Sequence, residues 1–375
     1  MIKYICDQCN ATYRIDSLRY KCDCGQPLQL TKTEEVFSID RVSKDDSTLW
    51  RYRQALPITD EASIISLGEG LTPLVSFDDT THDHRLKLDF VCPTGSYKDR
   101  GATVLLSKVK ELGVQEVVED SSGNAGAAIA AYSAKAGIDC TIYCPTSTSK
   151  GKLAQISMYG AKLKLIEGNR AATTQAVLEA AETTYYASHN WNPFFLEGTK
   201  TIAFEIAEQF GWQVPDHIIC PIGFGSVYMG LHIGFEELQA QGIITKIPRL
   251  LGVQSAACCP VYKAYSENRS QVERSPQTYE TLAEGITSEA PIRGDTIMGA
   301  LRETNGAITI VDETEIEVGI KALASKGIYV EPTSAVIVKA FDKFVKSGII
   351  RAGDSTVSIL TGSGLKATDK LMKIA

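Results

Sequence analysis

The chain has 375 residues, 44% of them hydrophobic, and a formal net charge of −7. That is enough apolar material for a large core shared by two domains, and no basic excess exists to displace counterions from nucleic-acid phosphates. No apolar run approaches the roughly 18–20 residues of a membrane span, and "MIKYICDQCNATYRID" has no apolar signal-peptide core, so a soluble cytoplasmic protein with small-molecule rather than membrane or nucleic-acid partners is expected.

Residues 1–30 stand apart. "CDQC" and "CDCG" bring Cys6, Cys9, Cys22 and Cys24 together in sequence, with Tyr13 and Tyr20 between the pairs. Zn²⁺ takes four tetrahedral ligands, and two close cysteine pairs on facing turns supply them. The second pair is C-x-C, tighter than a C-x-x-C knuckle; four reduced thiols in a ribbon without metal are the alternative. The six other cysteines lie in apolar or loop contexts and read as small buried thiols of a reducing compartment. Residues 31–85 read as linker, crossover and part of a larger domain.

From there strand-like runs alternate with helical patterns. "RLKLDFVC" leads through "PTGSYKDRG" to "ATVLLSKVKELG". "VQEVVED" leads to "GNAGAAIAAYSAKAG", "DCTIYCP" to "SKGKLAQISMYG", and "AKLKLIEG" to "NRAATTQAVLEAAETT". "HIICPIG" leads to "SVYMGLHIGFEELQAQG", and "RLLGVQ", "AITIVD" and "STVSILTG" complete the set. Continuously apolar strands alternating with helices imply parallel sheets covered on both faces. The predicted division is a smaller α/β domain over 86–189 and a larger one over 190–375.

In open α/β sheets ligands bind beyond the carboxyl ends of the strands, which directs attention to four turns. "PTGSYKDRG" (93–101) places Lys98 where a helix begins. "DSSGNAG" (120–126) offers Ser121, Ser122, Gly123 and the amide of Asn124 at a helix N-terminus, a setting for a carboxylate. "CPIGFGSVYMG" (220–230) opens a helix with Gly223, Phe224, Gly225 and Ser226, whose backbone N–H groups suit a phosphate. It has no Walker lysine, and its glycine spacing fails the G-x-G-x-x-G dinucleotide pattern. "LTGSGLK" (360–366) places the hydroxyl of Thr361 just after the last strand.

Together these turns resemble the fold-type II pyridoxal-phosphate enzymes, the tryptophan synthase β family, and most closely its threonine synthase branch. The matching stretches are "SLGEGLTPL" (66–74), "PTGSYKDRG", "SSGNAGAA" (121–128), "NPFFLEGTKTIAFEI" (192–206), "CPIGFGS" (220–226), "YVEPTSA" (329–335) and "LTGSGLK", in family order. The resemblance implies two doubly wound, mostly parallel sheet domains with the cofactor in the cleft, plus the small four-cysteine ribbon, and commonly a homodimer. It implies that Lys98 forms the Schiff base with pyridoxal 5′-phosphate, which an amine does only when neutral. Gly223, Phe224, Gly225 and Ser226 would seat the cofactor phosphate, Asn124 would bond the ring hydroxyl, and Thr361 would face the pyridine nitrogen. A neutral hydroxyl there leaves that nitrogen unprotonated and favours elimination and replacement over transamination. The implied reaction is O-phosphohomoserine plus water to threonine plus phosphate.

The chain departs from the family at substrate-facing positions. Ala125 stands where the family has Thr, Phe195 where "N-P-x-R-x-E-G" has Arg, and Cys92 where it has Asn. Ser121, Ser122, Gly123, Ala125 and Asn192 are the expected substrate-binding positions, with Arg293 in "EGITSEAPIRG" as a replacement anion ligand; Lys200, Arg170, Lys150 and Lys152 are further cations. A paralogous β-elimination or β-replacement enzyme (dehydratase or ammonia-lyase type) is therefore a second reading. A zinc-ribbon binding protein with a vestigial enzyme fold is a third, opposed by the presence of Lys98, Asn124 and Thr361.

Overall fold

The structure is a computed structural model. It describes every residue except 1, 16–17, 32–35, 78–80, 149, 169, 276–278 and 375; the side chains of Lys150 and Lys152, two of the expected cations, also lie outside the described set.

The chain opens with three two-residue strands, β1 (Tyr4–Ile5), β2 (Thr12–Tyr13) and β3 (Gln29–Leu30). Strands β4 (Leu74–Ser76) and β5 (Asp83–Lys87) follow, then helix α1 (Lys98–Glu111). An alternating series comes next: β6 (Glu116–Glu119), α2 (Asn124–Ala136), β7 (Asp139–Pro145), α3 (Lys150–Met158), β8 (Lys162–Ile166), α4 (Arg170–Ala180) and β9 (Tyr185–Tyr186). Helices α5 (Pro193–Thr199) and α6 (Thr201–Gln209) lead to β10 (His217–Pro221), α7 (Ser226–Ala240), β11 (Arg249–Ser255), α8 (Pro260–Ser266) and α9 (Gly294–Glu303). The remainder is β12 (Ala307–Val311), α10 (Glu313–Ala324), α11 (Pro332–Lys346), β13 (Ser355–Ile359) and α12 (Thr368–Leu371). The ends follow local chemistry. Gly137 closes α2 in the left-handed region at φ 69°, and Asp312 with Glu315 forms a capping box at the start of α10. No helix of the described residues is long and apolar enough to cross a membrane.

The chain divides into two compact units, residues 1–71 with 92–199, and residues 72–91 with 200–375. The first holds the antiparallel ribbon β2-β1-β3 and the four-stranded sheet β8-β7-β6-β9, parallel throughout. The second holds the six-stranded sheet β12-β11-β10-β13-β5-β4, in which only β4 runs antiparallel. The parallel, doubly wound reading of the sequence describes both sheets.

The boundaries differ from those read in the sequence. Residues 37–71 are not a linker to the second unit; they lie along α1. Trp50 Nε1 donates to Thr103 Oγ1 at 3.1 Å, Ile65 N to Ser107 Oγ at 2.9 Å, and Thr59 N to Glu111 Oε1 at 2.7 Å. The ribbon is likewise continuous with the first unit. Tyr4, Cys6, Cys22 and Leu28 share one buried cluster with Phe194 and Phe195, and the Tyr4 and Phe194 rings meet edge to face at 6.0 Å. The strand before Lys98 and the helix that begins with it fall in different units, because β5 pairs with β13.

Helix α1 is fixed by α5. A Cβ at Gly198 would lie 1.9 Å from the Arg100 carbonyl oxygen, and one at Gly101 would lie 2.5 Å from the Phe195 ring. Both glycines are required by close approach. Gly198→Ala meets rigid backbone, so its cost is expected at the upper end of the range for overpacking, about 3 kcal/mol or more. Gly101→Ala, which meets a side chain, should cost less; urea denaturation of the two variants checks the order.

Candidate active site

In the first unit, Lys98 is the first residue of α1 and half-buried. Its Nζ donates to Tyr97 Oη and lies 4.2 Å from the centre of that ring. The preceding turn is held by Asp99, which accepts from Thr94 N at 2.7 Å and from Thr94 Oγ1 at 2.5 Å. Ser121 and Ser122 are half-buried, Gly123 is exposed and caps α2, and Asn124 opens that helix. The loop lies directly on α2, since a Cβ at Gly126 would be 1.7 Å from the Ser121 carbonyl oxygen. Ala125 is buried.

Behind this loop lies a charge network that no local sequence pattern announces. Glu119, the last residue of β6, is fully buried, with Oε1 2.6 Å from His189 Nδ1. Burial, with Asp120 next to it, pushes the Glu119 carboxyl well up. Burial, reinforced by Lys98 and Arg170, pushes the His189 imidazole well down. Both shifts drive the pair toward its uncharged forms. Asp120 accepts from Tyr186 Oη at 2.7 Å and from Arg170 Nη2 at 2.7 Å.

Asn192 and Phe195 lie deeper in the first unit. Asn192 is buried, donates to Tyr185 Oη at 2.9 Å and accepts from Phe194 N at 3.1 Å, which caps α5. Phe195 is fully buried against Gly101 and edge-on to His189 at 6.1 Å.

In the second unit, Gly225 caps α7 with φ 89°. A Cβ there would lie 2.3 Å from Ile297 Cδ1, and one at Gly223 would lie 2.8 Å from Ile286 Cα. The loop is thus a backbone cradle that side chains would fill, opening a 15-residue helix. Arg293 is buried at the N-cap of α9, and its carbonyl accepts from Ile297 N at 2.9 Å, one turn from the contact with Gly225. Lys200 is paired with Glu237 at 2.8 Å.

A family model described as "Pyridoxal-phosphate dependent enzyme" matches residues 65–362. The chain is 36% identical to a threonine synthase of Methanocaldococcus jannaschii, over 98% of this chain and 94% of that one. It is 35% identical to a threonine synthase of Methanosarcina acetivorans, over 96% and 91%. The chain belongs to the pyridoxal-phosphate-dependent enzymes. Its fold matches the processed threonine deaminase isoform 2 of Solanum lycopersicum with a TM-score of 0.72 at 19% identity, covering 93% of this chain and 95% of that one. Maize serine racemase matches with a TM-score of 0.68 at 21% identity, over 81% and 91%. The fold is that of the fold-type II enzymes.

The residues present fit pyridoxal phosphate. The glycine cradle at α7 suits the phosphate, and the buried Thr361 hydroxyl suits the pyridine nitrogen. The state of that hydroxyl can be worked out from its neighbour Ser334, on α11. Ser334 Oγ accepts from Thr361 N and from Gly362 N, each at 2.9 Å, which uses both of its lone pairs. Toward Thr361 Oγ1, 3.0 Å away, or Gly362 O, 3.2 Å away, it can only donate. The Thr361 proton is thus not spent on Ser334. "YVEPTSA" contains this serine, but its role depends on a partner 27 positions away.

The four ribbon cysteines converge. Their sulfurs lie within 4.8 Å of one another, with Cys6–Cys24 at 3.5 Å and Cys9–Cys22 at 3.4 Å. A tetrahedron of roughly 2.3 Å Zn–S bonds has edges of roughly 3.8 Å. The cluster fits a zinc ion.

Ser334→Ala is expected to leave two backbone N–H groups without their acceptor, at about 1–3 kcal/mol each, and to lower kcat more than it raises KM. Denaturation and steady-state kinetics on the cofactor-loaded variant measure both. A loss of stability with unchanged kcat would make Ser334 purely structural.

Proposed function

We propose that this enzyme converts O-phosphohomoserine and water to threonine and inorganic phosphate. The end-to-end likeness to the Methanocaldococcus jannaschii threonine synthase carries this reading. Overall, the Cγ–O bond to phosphate breaks and the water oxygen bonds to Cβ. Protons lost from Cα and Cβ are returned at Cα and Cγ.

Bound pyridoxal phosphate supplies an electron sink for negative charge developing beside the substrate amino group. In this reading Lys98 holds the cofactor, and its Nζ is the base that moves protons at the substrate carbons. Asn124 directs its amide to the ring hydroxyl, Gly223, Phe224, Gly225 and Ser226 seat the cofactor phosphate, and Thr361 donates to the pyridine nitrogen. Ser121, Ser122 and Gly123, at the start of α2, hold the substrate carboxylate. Arg293, buried at the N-cap of α9 beside the glycine loop, answers the substrate phosphate. A cytoplasmic homodimer completes the reading, in keeping with ten free cysteines.

Phe195 and Ala125 favour a second reading, β-elimination or β-replacement on an amino acid without phosphate. Both are buried and apolar where the family supplies polar groups. Phe195→Arg is a poor test, since it would bury a guanidinium against α1. A better one incubates cofactor-loaded wild type, Lys98→Ala and Arg293→Gln with O-phosphohomoserine, threonine, serine and diaminopropionate. Phosphate and threonine should form in equal amounts from O-phosphohomoserine and vanish in Lys98→Ala. Arg293→Gln should raise KM roughly tenfold to a hundredfold, the worth of one charge-assisted bond. Keto acid and ammonia from the other substrates, without turnover of O-phosphohomoserine, would establish the second reading.

We also propose one structural Zn²⁺ on Cys6, Cys9, Cys22 and Cys24. Because the ribbon shares its core with Phe194, a Cys9→Ser, Cys24→Ser double variant should lose the metal and also lower the melting temperature of the whole chain. Metal analysis showing no zinc at these cysteines in protein purified without chelator would refute it.

A further inference from the structure

A second group of metal-ligating side chains lies in the second unit. His232 and Glu236 stand one turn apart on α7, and Glu303 ends α9. One ligand atom from each falls within 4.8 Å of the others. His232 is buried at 6% exposure, Glu236 is half-buried and Glu303 is exposed.

The ring is held between the two carboxylates. Its Nε2 is 2.9 Å from Glu303 Oε2, and its Nδ1 is 3.8 Å from Glu236 Oε2. Despite that short distance, the buried Nε2 has no hydrogen-bond partner. A buried imidazole without a proton partner, facing two carboxylates, is a ligand set in search of a cation.

The charge balance points the same way. Glu303 places a negative charge at the carboxyl end of α9, where the helix dipole disfavours it, and Glu236 adds a second nearby. One imidazole with two carboxylates suits Zn²⁺ or a similar divalent transition ion; Ca²⁺ and Mg²⁺ prefer oxygen alone. The exposed edge leaves a position for water.

We propose that His232, Glu236 and Glu303 bind a divalent transition-metal ion of the Zn²⁺ class. The site is separate from the cysteine cluster and from the loops assigned above. The ion ties the middle of α7 to the end of α9. Both helices shape the glycine loop, since α7 begins at Ser226 and Ile297 of α9 closes on Gly225. It is a brace for that loop rather than a participant in the chemistry.

The test is a zinc titration of the cofactor-loaded full chain against a chromophoric chelator, in wild type, Glu303→Gln and His232→Gln. Glu303 is exposed and its substitution leaves the core untouched, so Glu303→Gln keeps the test readable if His232→Gln misfolds. Wild type should bind one zinc more than Glu303→Gln, or bind it at least tenfold more tightly. Added zinc should raise the melting temperature of wild type and not of Glu303→Gln. Cobalt at this site should give weak d–d bands without the intense thiolate charge transfer of a cysteine site. Equal zinc uptake, equal affinity and equal thermal response in wild type and Glu303→Gln would overturn the proposal.

Discussion

The contact on which the first unit's chemistry depends is the close approach of α1 and α5 through two glycines. With Gly198 against the Arg100 carbonyl and Gly101 under the Phe195 ring, neither helix can shift without opening a gap or a clash. Lys98 begins α1, so its position is inherited from that contact. The same contact explains Phe195. Its ring fills the space over Gly101, and a charged side chain could not occupy that space without an acceptor for each of its donors. The packing that holds Lys98 therefore requires an apolar ring at position 195.

The second unit carries its own internal constraint. Lys87 on β5 and Glu205 on α6 are both fully buried and 2.7 Å apart. Such a pair is tolerable only when every donor and acceptor is answered. Lys87 Nζ uses its three protons on Thr72 O at 2.7 Å, Glu205 Oε2 at 2.7 Å and Gln209 Oε1 at 2.9 Å. Thr72 in turn donates to Asp89 at 2.7 Å. These groups fix residues 72–91, a short excursion of the chain, to the α6 segment of the unit they join. An apolar core alone would not register so short a segment; directional bonds do.

The legibility of this protein in its sequence follows the range of its interactions. The series from β6 to α4 is readable because parallel strands buried on both faces are continuously apolar and the helices between them keep their own period. The four loops are readable because glycine, serine and asparagine at the start of helices serve few purposes. Residues 37–71 are not, because their turns are held by side chains of α1, as Trp50 is by Thr103. Neither are the domain limits, since β5 pairs with a strand from the far end of the chain. The Glu119–His189 pair is 70 positions apart, and no periodicity joins them. The ribbon cysteines are legible as a set, yet their shared core with Phe194 is not, because it rests on Tyr4 meeting an aromatic far along the chain.

What the two units have in common is control of charge by neutral groups. In the first unit, burial pushes the Glu119 carboxyl up and the His189 imidazole down, so both are driven toward their uncharged forms. At Thr361, the saturation of Ser334 by two backbone donors leaves a hydroxyl that offers a proton without carrying a charge. Positive charge is treated just as strictly: Arg170 is answered by Asp120 and Lys200 by Glu237. Arg293 differs in position, buried at the N-cap of a helix that closes on the glycine loop. Arg293 thus stands beside the loop proposed for the cofactor phosphate, while Asp120 and Glu237 hold Arg170 and Lys200 to the structure around them.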